Sequence, residues 1–295
     1  MRRHLFFIML GLWVVGPIQA DMATRQTGFV LLREGVGARA AAMGDAYTAV
    51  VGDQTAAHWN PAGLAALQGK DFVLMHQTSI QGINQAYGGW AYGNQKRGLA
   101  LSLGVYSVGG FEARTEPTLE PLGTFGVYDL NAGLSYGQRI GQRTHFGFSV
   151  RALHENIESV SAWGVGIDFG LLYQLGIPGL TVGATYRNLG RMEQLDQERT
   201  PLPRTIRFGA SYVRNALTIS GDFRMPDKGA LGANVGLEYV VKQRLFLRSG
   251  LVTGHDTRTW SMGLGVIRKN WRVDYAFVPV SDGLGTGHRV ALGIR

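Results

Sequence analysis

The sequence contains no cysteine among its 295 residues. This absence excludes disulfide bonds, cysteine-ligated zinc sites and catalysis by a thiol nucleophile. It assigns no compartment, although it agrees with an exported protein that needs no oxidative folding. Charged residues make up only 17% of the chain, whereas 43 residues are glycine. The length suits one large all-β domain or two ordinary domains.

Long apolar runs are also lacking. Residues 5–15 form an apolar stretch that follows Arg2, Arg3 and His4 and precedes the small residue Ala20. Such an order is typical of a secretory signal peptide, and we expect residues 1–20 to be one. The stretch is too short for a bilayer, which needs about 20 apolar residues. The sequence therefore predicts no spanning helix and leaves an exported soluble chain or a membrane barrel.

Motifs of catalysis, metal binding and nucleotide binding are missing. The seven histidines lie far apart without the paired spacing of a metal site. There is no G-x-S-x-G elbow and no phosphate-binding G-x-x-x-x-G-K-[ST] loop. The acidic group Glu193, Asp196 and Glu198 is more typical of a solvated loop than of a cation site. We predict no enzyme activity, no cofactor and no metal.

The net charge of +8 does not indicate a nucleic-acid partner. A nucleic-acid-binding domain concentrates its lysines and arginines on one stripe or run. Here they are scattered through predicted turns and strands and form no run. We therefore predict no nucleic-acid binding.

From Asp71 onward, large apolar residues alternate with small or polar ones. Residues 99–105, 163–173, 231–239 and 290–294 show this period of two clearly. Such alternation predicts β-strands. About 14 segments come near the 9–11 residues of a tilted membrane strand. A water-soluble sandwich would show the same alternation, so the choice depends on other features.

Two features favour a membrane barrel over a sandwich. The face opposite the apolar residues carries glycine, serine, threonine and isolated charges, which suits a narrow polar interior. Connections also alternate in length, as in outer-membrane barrels with an even strand count. Short ones fall at 94–96, 141–143, 176–178, 214–215, 242–243 and 268–270; longer ones fall at 78–85, 107–123, 155–161, 187–203, 224–228, 254–258 and 279–287. Both termini then lie on the short-turn, periplasmic side.

Aromatic residues on the apolar face give a third feature. One row lies next to the short turns: Tyr92, Tyr136, Tyr173, Tyr212, Tyr239 and Trp271. A second row lies next to the long connections: Tyr128, Trp163, Tyr186, Phe223, Trp260 and Phe277. Aromatics favour strands in general. Two rows at strand ends on one face indicate the girdles of a transmembrane barrel.

The stretch 35–67 differs from the rest, being rich in alanine and glycine without alternation. Asn60 followed by Pro61 predicts a helix start, since asparagine caps free N–H groups and proline fits the first turn. Residues 38–43 and 46–51 each predict a helical turn or two. The spacing alone is compatible with an ordinary small subdomain; small residues also permit close packing in a confined space.

This stretch resembles the N-terminal signature of FadL-like outer-membrane barrels, and most closely the PorV/PorQ branch. The matching residues include Gly37, Arg39, Met43, Gly44, Tyr47, Trp59, Asn60 and Pro61. The resemblance implies a bacterial outer-membrane location and a plug inside the barrel. We predict an all-β fold: a transmembrane antiparallel β-barrel of about 14 strands with a small N-terminal helical plug in the lumen. Its parts are a signal peptide at 1–20, the plug at 21–69 and the barrel at 70–295.

Alternation also assigns charged residues to the lumen. The predicted inward arginines are Arg151, Arg187, Arg207, Arg248, Arg272 and Arg289; the predicted inward acids are Asp168, Asp222, Glu238 and Asp274. Opposite charges can pair with each other or with the plug. Alternatively, an arginine can clamp the carboxylate of an amphipathic ligand. The sequence does not choose between these roles or among the arginines.

The resemblance implies two functions. The first is passive transport of small hydrophobic molecules, such as long-chain fatty acids, across the outer membrane. The alternative is a PorV-type role in type IX secretion, with secreted cargo as the partner. Outer-membrane lipids are partners in both. The chain departs from the usual barrel pattern by ending in Arg295 rather than an aromatic residue.

Overall fold

The structure is a computed structural model that describes residues 29–50, 52–79, 82–114, 121–195, 201–255, 257–281 and 285–295. The predicted signal peptide, the first part of the predicted plug, and Asp196 and Glu198 lie outside the described residues. Within the described ranges, no helix is long and apolar enough to cross a membrane.

Fourteen antiparallel strands form a closed barrel in which each strand pairs with its sequence neighbours and β1 pairs with β14. The strands are β1 Gln68–Thr78, β2 Asn84–Asn94, β3 Arg97–Ala113, β4 Gly123–Ile140, β5 Thr144–Ile157, β6 Val160–Gln174, β7 Leu180–Met192, β8 Thr205–Arg214, β9 Leu217–Pro226, β10 Gly232–Val241, β11 Leu245–Val252, β12 Trp260–Arg268, β13 Trp271–Val280 and β14 Gly285–Ile294. The predicted fold class and strand number are confirmed.

The outer face of the wall is apolar. Leu101, Leu264 and Val273 are about half exposed, and they belong to a belt of large hydrophobic side chains on nearly every strand. A continuous apolar surface of this extent is incompatible with water and is what lipid requires. Tyr128 and Trp163 lie outward near the long-connection end, as the girdle pattern predicted. The barrel wall therefore spans a membrane.

The short turns have the left-handed backbone conformation that is typical of tight β-hairpins. Gln95, Asn215 and Lys269, each the first residue of a two-residue connection, have positive φ values between 53° and 62°. Two-residue hairpin loops favour this left-handed conformation because it matches the twist of the strands.

One connection is shorter than expected. The predicted long connection at 155–161 is a two-residue turn, since Ile157 pairs with Val160. β6 extends beyond the end of β7, where Met192 pairs with Gly164. β4 extends further than β5, since it continues past Val127, the partner of Ile157, to Gly123.

The lumen holds the described residues that precede β1, 29–50 and 52–67, and we call them the plug. It contains a 3-10 turn at Val30–Leu32, α1 at Ala38–Ala42, α2 at Ala56–Trp59 and a 3-10 helix at Pro61–Ala66. Helix α1 packs on β11 to β14, whereas the Pro61–Ala66 helix packs on β2 to β6. The plug therefore crosses the lumen from one side of the wall to the other.

One predicted helical turn of the plug is wrong. Residues 46–50 form turns rather than a helix, and α2 lies later in the chain. The backbone N–H groups of Tyr47 and Thr48 donate to the carboxylate of Asp222 on β9 instead of to a helical carbonyl. A wall residue thus satisfies donors that a helix would otherwise satisfy.

Candidate functional site

Glycines of the wall let the plug backbone lie directly against the strands. A Cβ at Gly137 of β4 would stand 2.6 Å from the carbonyl oxygen of Pro61. A Cβ at Gly236 of β10 would stand equally close to the carbonyl oxygen of Met43, at 2.6 Å. Real Cβ atoms do not approach oxygen so closely, so only glycine fits. These two contacts between the plug and the wall lie six strands apart in the ring of fourteen, on nearly opposite sides of the lumen.

Asn60 holds the plug together at its centre. Its side-chain oxygen accepts from the Ala62 N–H at 3.1 Å and caps the helix that begins at Pro61, as predicted. Its Nδ2 donates to the carbonyl of Thr48 at 2.8 Å and to that of Leu171 on β6 at 3.2 Å. One side chain therefore joins two parts of the plug to the wall.

The remaining small signature residues lie where α1 meets the wall. Gly37 has φ 92° and donates its N–H to the sulfur of Met75 at 3.0 Å. Met43, at the end of α1, is completely buried. Gly44 has φ 63° and donates to the Ser261 hydroxyl at 3.2 Å. Gly37 and Gly44 are required to be glycine for their backbone conformation as well as for space.

Arg39 is the charged centre of the plug. Its Nε and Nη2 donate to the two oxygens of Glu238 at 2.8 and 2.7 Å. Its Nη1 donates to the Tyr47 hydroxyl at 3.0 Å and to Asp53 Oδ2 at 3.3 Å. Tyr47 in turn donates to Asp53 at 2.6 Å. The guanidinium fork is thus fully engaged in a two-point pair with the wall.

Two of the predicted lumenal arginines extend this network along the wall. Arg248 donates to Glu238 at 2.6 Å and to Asp274 at 2.7 Å. Arg272 pairs with the other oxygen of Asp274 at 2.9 Å. Both arginines therefore neutralise wall carboxylates beside the plug, and neither points at open space.

A β-bulge places Arg151 in a separate pair. Asp168 of β6 stands opposite both Arg187 and Asn188 of β7, where the register shifts. Asn188 has φ 61° and donates its N–H to Asp168 at 2.7 Å. Arg151 forms an ion pair with Asp168 and donates to the Asn188 side chain at 3.3 Å. The extra residue turns two successive side chains of β7 into the lumen, a recognised use of bulges.

Arg207 links the wall to the turn of the plug. Its Nη2 donates to the carbonyl of Asp45 at 2.6 Å and to Asp222 at 3.0 Å. Arg258, from the β11–β12 connection, donates to the Asp45 carboxylate at 2.6 Å. Burial opposes ionisation of Asp45, but Arg258, Arg289 and Arg207 outweigh it and lower the pKa of that carboxyl.

His58 and Trp59 form a buried platform next to Arg187 and Arg207. The Arg207 guanidinium lies 4.9 Å from the Trp59 ring centre and that of Arg187 lies 5.9 Å away. Arg187 Nη2 is 3.1 Å from His58 Nε2. Arginine has no acceptor, so His58 Nε2 must be unprotonated and the ring neutral. Burial and the charge of Arg187 lower the pKa of His58 well below its ordinary value.

A cavity of about 320 Å³ opens above this platform at the long-connection end of the barrel. We call it the basic cavity, because six basic residues and two acids line it. The basic residues are Arg33, Arg187, Arg204, Arg207, Arg224 and Lys228; the acids are Glu34 and Asp227. His255 also lines it, and burial and the charge of Arg258 lower its pKa to about 4. The histidine is therefore neutral at pH 7, and arginine and lysine provide the positive field.

Arg289 borders a second, smaller cavity of about 140 Å³ together with Arg258 and Glu34. It donates to the carbonyl of Gly35 at 2.9 Å and lies 3.8 Å from Glu34. Of the six predicted arginines, Arg187 and Arg207 line the basic cavity, Arg289 lines the smaller one, and the other three pair within the wall and plug.

An apolar cluster adjoins the basic cavity. It consists of Phe29, Leu31, Leu32, Tyr106, Leu153, Ala162, Met192 and Leu202, with Ile83, Val108 and Leu195 packed at its edge. Leu32 belongs to the cluster and also lines the basic cavity, and Arg33 follows it. The upper lumen therefore presents an apolar region and a cationic region side by side.

Sequence reasoning missed several residues of this site. Arg224, Arg204 and Arg258 belong to strand ends or connections, where alternation no longer fixes the direction of a side chain. Arg33 and Glu34 precede the signature and carry no motif. The described residues include no group of three or more histidines and acids that could hold a metal ion.

These features define a class: a plugged, fourteen-strand transmembrane barrel with a polar lumen and a basic cavity at the long-connection end. No protein-family model matches the sequence. No curated protein matches it either.

Solved structures nevertheless share the fold. The chain is similar to the CymD monoaromatic hydrocarbon channel, with TM-score 0.69 and 15% identity over 90% of this chain and 97% of that one. It is similar to the toluene transporter TodX of Pseudomonas putida, with TM-score 0.66 and 14% identity over 88% and 97%. A FadL homologue of Pseudomonas aeruginosa gives TM-score 0.61 and 12% identity over 88% and 98%. The chain thus has the fold of these FadL-like channels.

Proposed function

We propose that this protein is a bacterial outer-membrane channel for passive entry of small hydrophobic molecules. One observation carries the proposal: an apolar cluster and a basic cavity adjoin at Leu32 and Arg33 inside a plugged barrel. That arrangement suits an amphipathic acid, whose chain lies in the apolar region and whose carboxylate faces arginine. Solved structures of the same fold include a hydrocarbon channel and a toluene transporter, which supports the same class of cargo.

The carboxylate would meet Arg187 and Arg207 at the floor of the basic cavity. Both side chains are at least 94% buried in the protein, so a carboxylate there replaces little water and gains a strong pairing. A neutral apolar molecule would use the apolar cluster without this pairing. We therefore infer a preference for acids over neutral hydrocarbons of similar size.

The plug sets the mode of passage. It contacts opposite sides of the wall at Gly137 and Gly236, and Arg39 ties it to Glu238. Because the plug packs so closely against the wall, we infer a route for apolar solutes along protein surfaces and not through a continuous water-filled pore. The role is non-catalytic. The short-turn rim and both chain termini would face the periplasm, and the long-connection end with the basic cavity would face outward.

Uptake by cells tests the proposal. A bacterial strain without its own hydrophobic-solute channel would express this protein and receive a radiolabelled long-chain fatty acid or radiolabelled toluene at low concentration. We expect faster uptake of both than with an empty vector. Arg187→Gln would slow uptake of the fatty acid about 10-fold and leave toluene uptake nearly unchanged, since one charge-assisted contact is worth roughly 1.5 kcal/mol or more.

Arg114→Gln is the control, because Arg114 lies at the rim on β3's connection and pairs with exposed Glu112. It should match the unmodified protein for both solutes. If cells that contain the folded barrel take up both solutes no faster than empty-vector cells, the proposed function is contradicted. Equal slowing of both solutes by Arg187→Gln would contradict the pairing of the solute carboxylate with Arg187, but it would leave the channel function standing.

The export role stays the alternative function, and the position of the signature residues gives it little support. The signature residues that suggest it are inside the barrel: Trp59 and Asn60 are at most 2% exposed. They give a secreted cargo no surface of their own. A cargo protein that co-purifies stoichiometrically with the barrel, without any small ligand, would favour export.

A further inference from the structure

The short-turn rim of the barrel carries a ring of positive charge. The strand ends and turns of this rim hold eleven exposed lysines and arginines, which we call the basic ring: Lys70, Lys96, Arg97, Arg139, Arg143, Arg214, Lys242, Arg244, Arg268, Lys269 and Arg295. Five of the six short turns contribute, and β1 and β14 supply the residues where the ring closes. Lysines and arginines that scatter along the sequence are thus gathered by the hairpin topology at one end of the molecule.

Exposed acids are absent from this rim throughout the described chain. Its acid residue, Asp71, points inward and is 1% exposed. The four exposed acids in the described ranges, Glu112, Glu158, Glu193 and Asp227, all lie at the opposite, long-connection rim. The charge of the molecule is therefore asymmetric along the barrel axis.

Most side chains of the basic ring form no ion pair within the described part of the protein. Arg295 pairs with Asp71 and Arg139 donates to the carbonyl of Gln142. The other nine side chains form no ion pair with any described residue. Eleven like charges on one rim repel each other, and an external anion bound there would relieve this repulsion.

The ring lies at the edge of the apolar belt. Lys70 stands opposite Tyr92, and Arg268 stands opposite Trp271, in the strand registers. All four side chains point outward, and the two aromatic rings belong to the girdle next to the short turns. This is the height at which a bilayer presents its headgroups.

We propose that the basic ring binds the phosphates of anionic phospholipids in the leaflet that adjoins the short turns. The ring runs around the barrel, which fits a partner that surrounds the protein; a globular acidic protein would contact one sector only. Arginine pairs with a phosphate through two N–H groups, and lysine extends its apolar stem along the belt to reach the headgroup. The ring would recruit an annulus of negatively charged lipid and fix the height of the barrel in the membrane. This role does not depend on what the lumen carries.

The test is lipid retention by purified protein. The full barrel, extracted in mild detergent, would be mixed with equal amounts of phosphatidylglycerol and phosphatidylethanolamine, and native mass spectrometry would count the lipids that stay bound. We expect phosphatidylglycerol to exceed phosphatidylethanolamine by ~5-fold or more, the scale that one or more basic residues near an anionic surface produce. The excess should fall when the salt concentration is raised, since salt screens exposed charges.

Two variants with two neutralised charges each make the comparison specific. Lys242→Gln and Lys269→Gln together remove two charges from the basic ring, and the excess of phosphatidylglycerol should drop several-fold. Arg114→Gln and Arg191→Gln remove two charges from the opposite rim, outside the basic cavity, and should leave the excess unchanged. Equal retention of the two lipids by the unmodified protein, or an equal drop in both variants, would overturn the proposal.

Soluble poly-glutamate serves as a probe for an acidic protein partner. If it binds through the basic ring while neither lipid is preferred, the partner is an acidic protein and the lipid proposal is wrong. If it binds only in the absence of phosphatidylglycerol and the lipid displaces it, the lipid proposal stands.

Discussion

Arg39 of the plug and Glu238 of β10 form a two-point ion pair, with Nε–Oε2 and Nη2–Oε1 distances of 2.8 and 2.7 Å. The two residues are 199 positions apart in the sequence, so the pair joins α1 to the far part of the wall. Arg39 also contacts Tyr47 and Asp53 within the plug. The same guanidinium therefore organises the plug and ties it to the barrel.

Replacing Arg39 should destabilise the folded barrel. Arg39→Met leaves Glu238 and Asp53 buried with fewer cationic partners, and breaking a buried pair in this way costs about 3 kcal/mol or more. Urea unfolding in lipid vesicles, followed by gel mobility of folded and unfolded forms, measures the free energy of unfolding. Arg114→Met is the matched control because its pair with Glu112 is exposed, and such pairs contribute about 1 kcal/mol or less. Similar losses in both variants would contradict the role of Arg39.

Displacing the plug backbone should open an aqueous path. Gly236→Val places side-chain atoms where the carbonyl of Met43 now lies, so the plug cannot keep its seat on β10. We expect a stable ion current in planar bilayers that the unmodified barrel lacks. Gly221→Val is the control, since the nearest atom to a Cβ there is 3.8 Å away. A silent Gly236→Val barrel with normal folding would show that the plug is not the barrier.

Acid should weaken the fold through His58. The pKa of His58 is depressed by burial and by Arg187, so the unfolded chain binds its proton more readily than the folded protein. Stability is therefore fully present above the unfolded pKa of about 6.5 and falls as the pH drops below it. His58→Gln keeps an acceptor for Arg187 and should flatten this loss between pH 6.5 and 4.5. His76→Gln, on the exposed face of β1, should keep the slope of the unmodified protein; an unchanged slope in His58→Gln would refute the assignment.

Asn60 allows its two functions to be separated. Asn60→Ser keeps a hydroxyl oxygen that can cap the helix at Ala62, but it removes the donor to the carbonyls of Thr48 and Leu171. Asn60→Ala removes both. We expect each variant to lose roughly 1–3 kcal/mol, because buried carbonyls are left without donors, with Asn60→Ala losing about 1 kcal/mol more through the lost cap. Urea titrations compare the two; equal stability of Asn60→Ser and the unmodified protein would mean that the donor contacts are unimportant.

The wall was predictable from sequence because a strand has a period of two. Once Trp163 is assigned outward, every second residue of β6 follows, and the inward direction of Asp168 needs no further information. The alternation of β8 gives the inward direction of Arg207 in the same way. The aromatic rows fix the two ends of the strands for the same reason. The connection at 158–159 was misjudged because polar residues inside long strands resemble a loop.

Contacts of the plug were not predictable in this way. Arg39 and Glu238 are distant in sequence, and nothing local selects one carboxylate among several. Alternation assigns Asn188 to the outside, but the bulge opposite Asp168 turns it inward. The turns at residues 46–50 look helical by composition, and only the carboxylate of Asp222 on the wall explains their actual shape. These features depend on long-range contacts, which propensity does not contain.

The most direct measurement uses purified barrel in proteoliposomes, with entry of a radiolabelled long-chain fatty acid and ion conductance recorded on the same preparation. The vesicles would enclose a fatty-acid-binding protein so that entry is detected inside, and empty vesicles would correct for spontaneous flip. A plugged hydrophobic channel predicts faster fatty-acid entry than in empty vesicles together with no stable ion current. Entry equal to that of empty vesicles, or a steady current through the unmodified barrel, would contradict it.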